Sequence, residues 1–106
     1  MCDVGSRKLF ENDKVVVWEF TLEPGEITGV HTHSRDYLIH ALKGAPAEVF
    51  DKDLKSLGTG ELHSGDTLYL RLEGGELVSD VIRLPATHAA RNIGRNRYRE
   101  ILIEIK

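Results

Sequence analysis

Residues 25–44 read GEITGVHTHSRDYLIHALKG, with two histidines, His31 and His33, one residue apart. A strand sends alternate side chains to the same face, so this pair points together, its Cα atoms roughly 6.5–7 Å apart. Imidazoles at that spacing can converge on one ion held at about 2.0–2.2 Å from each nitrogen. A solvent-facing pair fits the same spacing, and two ligands do not make a site. A third must come from elsewhere, and His88, in LPATHAARNIG, is the best candidate. That segment reads as an ordered strand followed by a turn, which a barrel can fold back beside the pair. His40 has the opposite parity and belongs to the other face of the sheet. His63 precedes the turn SGD and reads as solvated.

Outward from this stretch the period is two almost throughout. In KVVVWEFTL, Val16, Trp18, Phe20 and Leu22 share one face. In YREILIEIK, Ile101, Ile103 and Ile105 share one face and Glu100 and Glu104 face away from it. TLYLRL aligns Leu68, Leu70 and Leu72, and YLIHALK and AEVFD are shorter strands. Turn signals separate them: PGE, KG, SGD, EGGE and NIGRNR. No stretch keeps helical periodicity over twelve residues. Many short strands between glycine turns predict an all-β sandwich or barrel.

The chain has 106 residues, which predicts a single domain over 1–106. A net charge of −3 lacks the basic footprint of a nucleic-acid binder. No apolar run reaches membrane-spanning length, and MCDVGSRK lacks the apolar core of a signal peptide. The single cysteine, Cys2, forms no internal disulfide and reads as an incidental terminal residue. A cytoplasmic protein is expected. The run RNIGRNRYR, with Arg91, Arg95, Arg97 and Arg99, reads as a solvated turn in an acidic chain without an aromatic ladder.

The order of these features resembles the cupin superfamily, in particular its small single-domain conserved-barrel (cupin 2) group. The first cupin motif runs glycine, five residues, HxH, three or four residues, glutamate, six residues, glycine. Gly25, His31, His33 and Gly44 hold those spacings, and Tyr37 stands in the glutamate's place. The second motif is half intact. Gly65 opens it, and His88 and Asn92 keep its final H-xxx-N spacing. Arg71 and Glu73 replace its proline and second glycine, and twelve extra residues precede His88, a lengthened loop or an added hairpin strand. The likeness covers roughly residues 9–106.

This resemblance implies a jelly-roll β-barrel, or double-stranded β-helix, with a divalent metal at its mouth held by His31, His33 and His88. Three neutral imidazoles leave the metal its full charge and open positions, the mark of a catalytic site. Histidine suits Fe, Zn, Ni and Cu alike. Resemblance to three-histidine dioxygenases favours Fe(II), with Zn, Ni or Mn as alternatives, and a small polar or acidic metabolite as substrate. The alternative is a non-catalytic small-molecule binding or sensor module; a barrel kept for assembly alone is a third reading. Tyr37 shares the parity of the histidines. As a neutral phenol it is a poor ligand, so its hydroxyl is expected to donate to a bound water, oxygen or substrate atom, unless it is a core aromatic at the rim. Asp36 and Glu26 are candidates to orient the histidines, although turn positions suit both better. Arg35 and Arg71 are candidates to clamp a carboxylate. Trp18 and Phe20 read as core, and Phe50 as ambiguous. Strands apolar on both faces, Val15 and Val17 against Trp18 and Leu102 against the isoleucines, predict a homodimer.

Overall fold

The computed structural model describes residues 4–106, so Cys2 lies outside the described residues. Eleven strands follow one another: β1 (Arg7–Glu11), β2 (Val15–Leu22), β3 (His31–Thr32), β4 (Tyr37–Lys43), β5 (Ala45–Phe50), β6 (Ser56–Leu62), β7 (Thr67–Glu73), β8 (Glu76–Val78), β9 (Arg83–Pro85), β10 (Thr87–Asn92) and β11 (Tyr98–Ile105). They form a seven-stranded sheet in the order β1-β2-β11-β4-β7-β8-β9 and a four-stranded sheet in the order β3-β10-β5-β6. Every pairing is antiparallel. Among the described residues no helix is long and apolar enough to cross a membrane. The all-β architecture expected from the strand periodicity, and the jelly roll that the cupin resemblance implies, are observed.

Register decides which face of each strand is inside. Leu102 of β11 lies opposite Trp18 of β2 and Ile39 of β4. Cross-strand partners point the same way, so these residues share the inner face. Ile39, Leu102, Leu70 of β7 and Leu77 of β8 form one buried cluster with Tyr37 and Ala86. Each large apolar side chain taken out of water there contributes roughly 1.5–3 kcal/mol. The same register turns Glu100 and Glu104 inward beside Tyr98, and leaves Ile101, Ile103 and Ile105 half-buried on the outer face. Alternation along β11 separates two faces correctly but does not say which is inner. Its neighbours do.

The twelve extra residues form the hairpin β8–β9 at the edge of the large sheet, joined to β7 through Gly74 and Gly75. Both glycines have positive φ, 56° and 81°, as a two-residue hairpin turn requires. Gly44 has a different function. It stands where the chain leaves β4 in the large sheet and enters β5 in the small one. A Cβ there would meet the His63 Cα at 2.7 Å and the Leu62 carbonyl oxygen closer still. Backbone on both sides cannot give way, so Gly44→Ala is expected to lower the stability by about 1–3 kcal/mol. An unchanged midpoint in denaturant unfolding would show that the strand switch tolerates a side chain.

Candidate metal centre

The three histidines meet because residues 25–33 run antiparallel alongside β10. Gly25 N–H donates to the Asn92 carbonyl at 2.8 Å, and Thr28 N–H to the Ala90 carbonyl at 2.8 Å. His31 lies directly opposite His88. His33 N–H then donates to the Ala86 carbonyl at 2.9 Å. One ligating atom from each of His31, His33 and His88 lies within 4.8 Å of the other two. The ring centroids are 4.7–5.1 Å apart.

The nitrogens are prepared for a cation. His31 Nδ1 lies 2.9 Å from the Gly29 carbonyl oxygen and His88 Nδ1 2.7 Å from that of Pro85. A carbonyl only accepts, so these Nδ1 atoms carry the protons and leave the Nε2 lone pairs free. His33 Nδ1 is sealed from solvent without a partner, the one such side-chain atom among the described residues. Burial, with the neighbouring His88 and His31, pushes the His33 value down to about 3. Burial also lowers His88 to about 4, against its hydrogen bond to Pro85 and with help from His31. Three imidazoles, two with Nε2 free of the backbone bond and one with an orphaned nitrogen, fit a divalent ion and no anion.

Tyr37 reaches the histidines by a route other than the one its parity suggests. The strand is not continuous: β3 ends at Thr32, and Tyr37 opens β4 in the other sheet. The chain crosses between sheets over residues 33–36. Even so, the Tyr37 ring stacks on His33, with centroids 4.3 Å apart and 17° between planes. Burial, and then the charge of Glu100, push its phenol far above the ordinary range, so it stays protonated. Its hydroxyl has no partner among the described residues, and the residue lines the cavity described next.

A cavity of about 240 Å³ opens between the sheets, with the three histidines in its wall. Most of its lining is apolar, including Phe20, Ile39, Leu70 and Leu102. The added hairpin contributes Ile82 and Leu84. Phe20 packs edge-on against Tyr98, so it belongs to the cavity wall as well as to the core. Trp18 instead donates its indole N–H to Glu104 at 2.8 Å. Among the described residues no lysine or arginine lines the cavity. Arg35 lies 3.9 Å from Glu104, and Arg71 sits on the outer face bonded to Glu73 at 2.6 Å, so neither clamps a ligand there. Asp36 accepts from the Leu72 amide and the Tyr69 hydroxyl, and Glu26 from the Glu23 amide. Backbone carbonyls, not these acids, orient His31 and His88. His40 bonds Thr67 and His63 is exposed, both outside the cluster, and Phe50 is absent from the lining.

The residue that sequence reasoning missed is Glu100. It is buried, lines the cavity, and accepts the Tyr98 hydroxyl at 2.6 Å. Burial raises its value to about 7, against that hydrogen bond. A period-two pattern with isoleucines on one face gives no signal for a buried acid on the other.

No protein-family model matches the chain, and no curated protein matches it. Solved structures do match in fold. A cupin domain from Bordetella pertussis Tohama I is 24% identical, over 100% of this chain and 98% of that one, with a TM-score of 0.69. An RmlC-like cupin family protein with a double-stranded β-helix fold from Methanocaldococcus jannaschii is 13% identical, over 93% and 76%, with a TM-score of 0.61. The polyketide cyclase RemF from Streptomyces resistomycificus is 21% identical, over 93% and 62%, with a TM-score of 0.59. The chain has the cupin fold.

The buried acid makes a stability prediction. Its value is 4.5 in a free carboxyl and about 7 in the folded chain. Between those pH values the folded chain keeps a proton that the unfolded chain has released, so stability falls as pH rises through that window. Glu100→Gln removes the ionisation. In metal-free protein the variant should be more stable than wild type at pH 8, by up to about 3 kcal/mol, with the gap closing towards pH 4. Denaturant unfolding at both pH values measures it; a difference that does not change with pH would show that Glu100 is not held in a low-dielectric setting.

Proposed function

We propose that the chain is a cytoplasmic metal-dependent enzyme of the three-histidine type, dioxygenase-like and loaded with Fe(II), acting on a small ligand enclosed by the cavity. The observation that supports this reading best is the convergence of three buried imidazoles, those of His33 and His88 held neutral by burial, on the wall of a cavity large enough for a ligand. His31, His33 and His88 would hold the metal. When bound, it supplies a Lewis-acidic centre with open positions and, as Fe(II), an electron donor towards dioxygen. The chain's own residues do the rest. The apolar wall excludes water and encloses the substrate. The Tyr37 hydroxyl, protonated and unpartnered, donates a hydrogen bond to a substrate atom beside the histidines. A polar or acidic substrate was the expectation from sequence. An apolar lining without a cation favours a mainly apolar, uncharged one.

The same face-by-face register supports a homodimer. Phe10, Val17, Ile103, Leu38 and Tyr69 align by register across five adjacent strands on the outer face of the large sheet. Phe10 and Tyr69, at its two ends, are 54% and 45% exposed. A row of this kind usually marks an interface.

Protein purified without chelator is expected to carry one divalent metal per chain by elemental analysis, and the His31→Ala/His33→Ala double variant to carry almost none. Equal metal in both would remove the proposed centre. Tyr37→Phe should keep its metal while turnover or ligand affinity falls by about 0.5–3 kcal/mol, the cost of one hydrogen bond; loss of metal instead would make Tyr37 a ligand. Substrate-dependent dioxygen uptake separates the oxidative reading from a binding or sensor module, which turns nothing over. It also separates it from redox-neutral chemistry, the class to which ring closure by a cyclase belongs. Light scattering at micromolar concentration should return about 24 kDa, twice the 11.9 kDa chain; a mass near 12 kDa would contradict the dimer.

A further inference from the structure

Glu100 is unlike the other buried acid of the inner face. Glu104 is bonded by the Trp18 indole and lies near Arg35. Glu100 has no ion-pair partner among the described residues. Its Oε1 accepts the Tyr98 hydroxyl, and its Oε2 accepts nothing among the described residues. The one sealed and unpartnered side-chain atom among those residues is His33 Nδ1, so Glu100 Oε2 retains contact with the cavity. Among the described residues, the ionisable groups around that space are the three histidines, Tyr37, Tyr98, Glu100 and, on an exposed strand, Glu61. Glu104 lies opposite Tyr37 on β4, so Glu100 is four residues further along β11 from that level, roughly 13 Å of strand. The histidines and the Tyr98–Glu100 pair therefore stand at different levels of the cavity wall, with Tyr37 within electrostatic reach of Glu100.

We propose that Glu100, oriented by Tyr98, is the recognition residue for a ligand hydroxyl, and that the cavity takes a neutral, mainly apolar molecule whose hydroxyl donates to Glu100 Oε2. This deepens the reading given above and rests on it for the cavity being a ligand site. Counting donors favours a hydroxyl over an ammonium ligand. Three N–H donors would need three acceptors, and beside Glu100 the lining is mainly apolar, its other side-chain oxygens being those of Thr28, Tyr37, Glu61, Asn92 and Tyr98 among the described residues. An anion would meet Glu100 with no cation to offset it. A hydroxyl needs one acceptor and finds one. Tyr98 is the positioning residue: its hydrogen bond fixes the carboxyl plane so that Oε2 faces the cavity.

The test uses naphthol, its methyl ether methoxynaphthalene, and naphthylmethylammonium as probes, with binding followed by fluorescence at pH 8. Protein as purified and chelator-treated protein are titrated side by side. Wild type is expected to bind naphthol at least about tenfold more tightly than the ether, the worth of a hydrogen bond to a charged acceptor. Glu100→Gln should shrink that preference, and Glu100→Leu should abolish it, while ether affinity stays within about twofold of wild type. The Gln variant keeps the shape of the side chain and serves as the folded comparison. An equal preference in wild type and both variants would overturn the proposal, as would tighter binding of the ammonium probe or no binding of naphthol at all. A preference that survives in chelator-treated protein, when no metal is found as purified, would retain Glu100 while removing the metal reading. Metal found in full with no naphthol preference would do the reverse.

Discussion

The antiparallel pairing of residues 25–33 with β10 is the constraint on which the rest of the structure depends. It puts His31 opposite His88 and ties His33 to Ala86, so one set of backbone hydrogen bonds assembles a cluster drawn from residues far apart in the chain. Asn92 anchors the far end. Its Nδ2 donates to the Leu22 and Asn96 carbonyls, and its Oδ1 accepts the Gly94 amide. Asn92 is thus a structural residue, fully satisfied and 1% exposed. With this segment held along β10, the chain crosses to the other sheet and brings Tyr37 onto His33.

The interior carries more polarity than a small barrel needs for stability. Three histidines, two tyrosines and Glu100 face a space that leucine and isoleucine could fill. Burying ionisable groups costs free energy unless they stay neutral or find partners. Here most stay neutral: the His33 and His88 imidazoles lose their protons and the phenols keep theirs. The result is a cavity with no lysine or arginine in its wall among the described residues, ready to receive a cation at the histidines and a donor at Glu100. The outer apolar row and the inner polar ring are two faces of the same strands, set by one register.

Much of this was legible in the sequence. The HxH pair, His88 at its distance, and the alternation of KVVVWEFTL and TLYLRL together specify an all-β barrel and its three-histidine cluster. What was not legible has physical causes. Strands β1 and β6 are almost wholly exposed, so no buried face imposes alternation on RKLFE or SLGTGEL. The break between Thr32 and Tyr37 lies in a polar stretch whose parity continues through it, so the sheet change leaves no mark. The inward turn of Glu100 is a property of pairing with Phe20 and Ala41, partners that no local window contains. Arg35 and Arg71 are of the right type for an anion site, but their positions on the fold point them elsewhere.

The most direct test of the account is anomalous X-ray diffraction at the absorption edge of the metal that the protein carries when purified without chelator. The account expects one peak per chain, at about 2.0–2.2 Å from a ring nitrogen of each of His31, His33 and His88, with no protein oxygen in the coordination sphere. A peak bonded to the Tyr37 or Glu100 oxygen, or no peak among the three histidines, would contradict it.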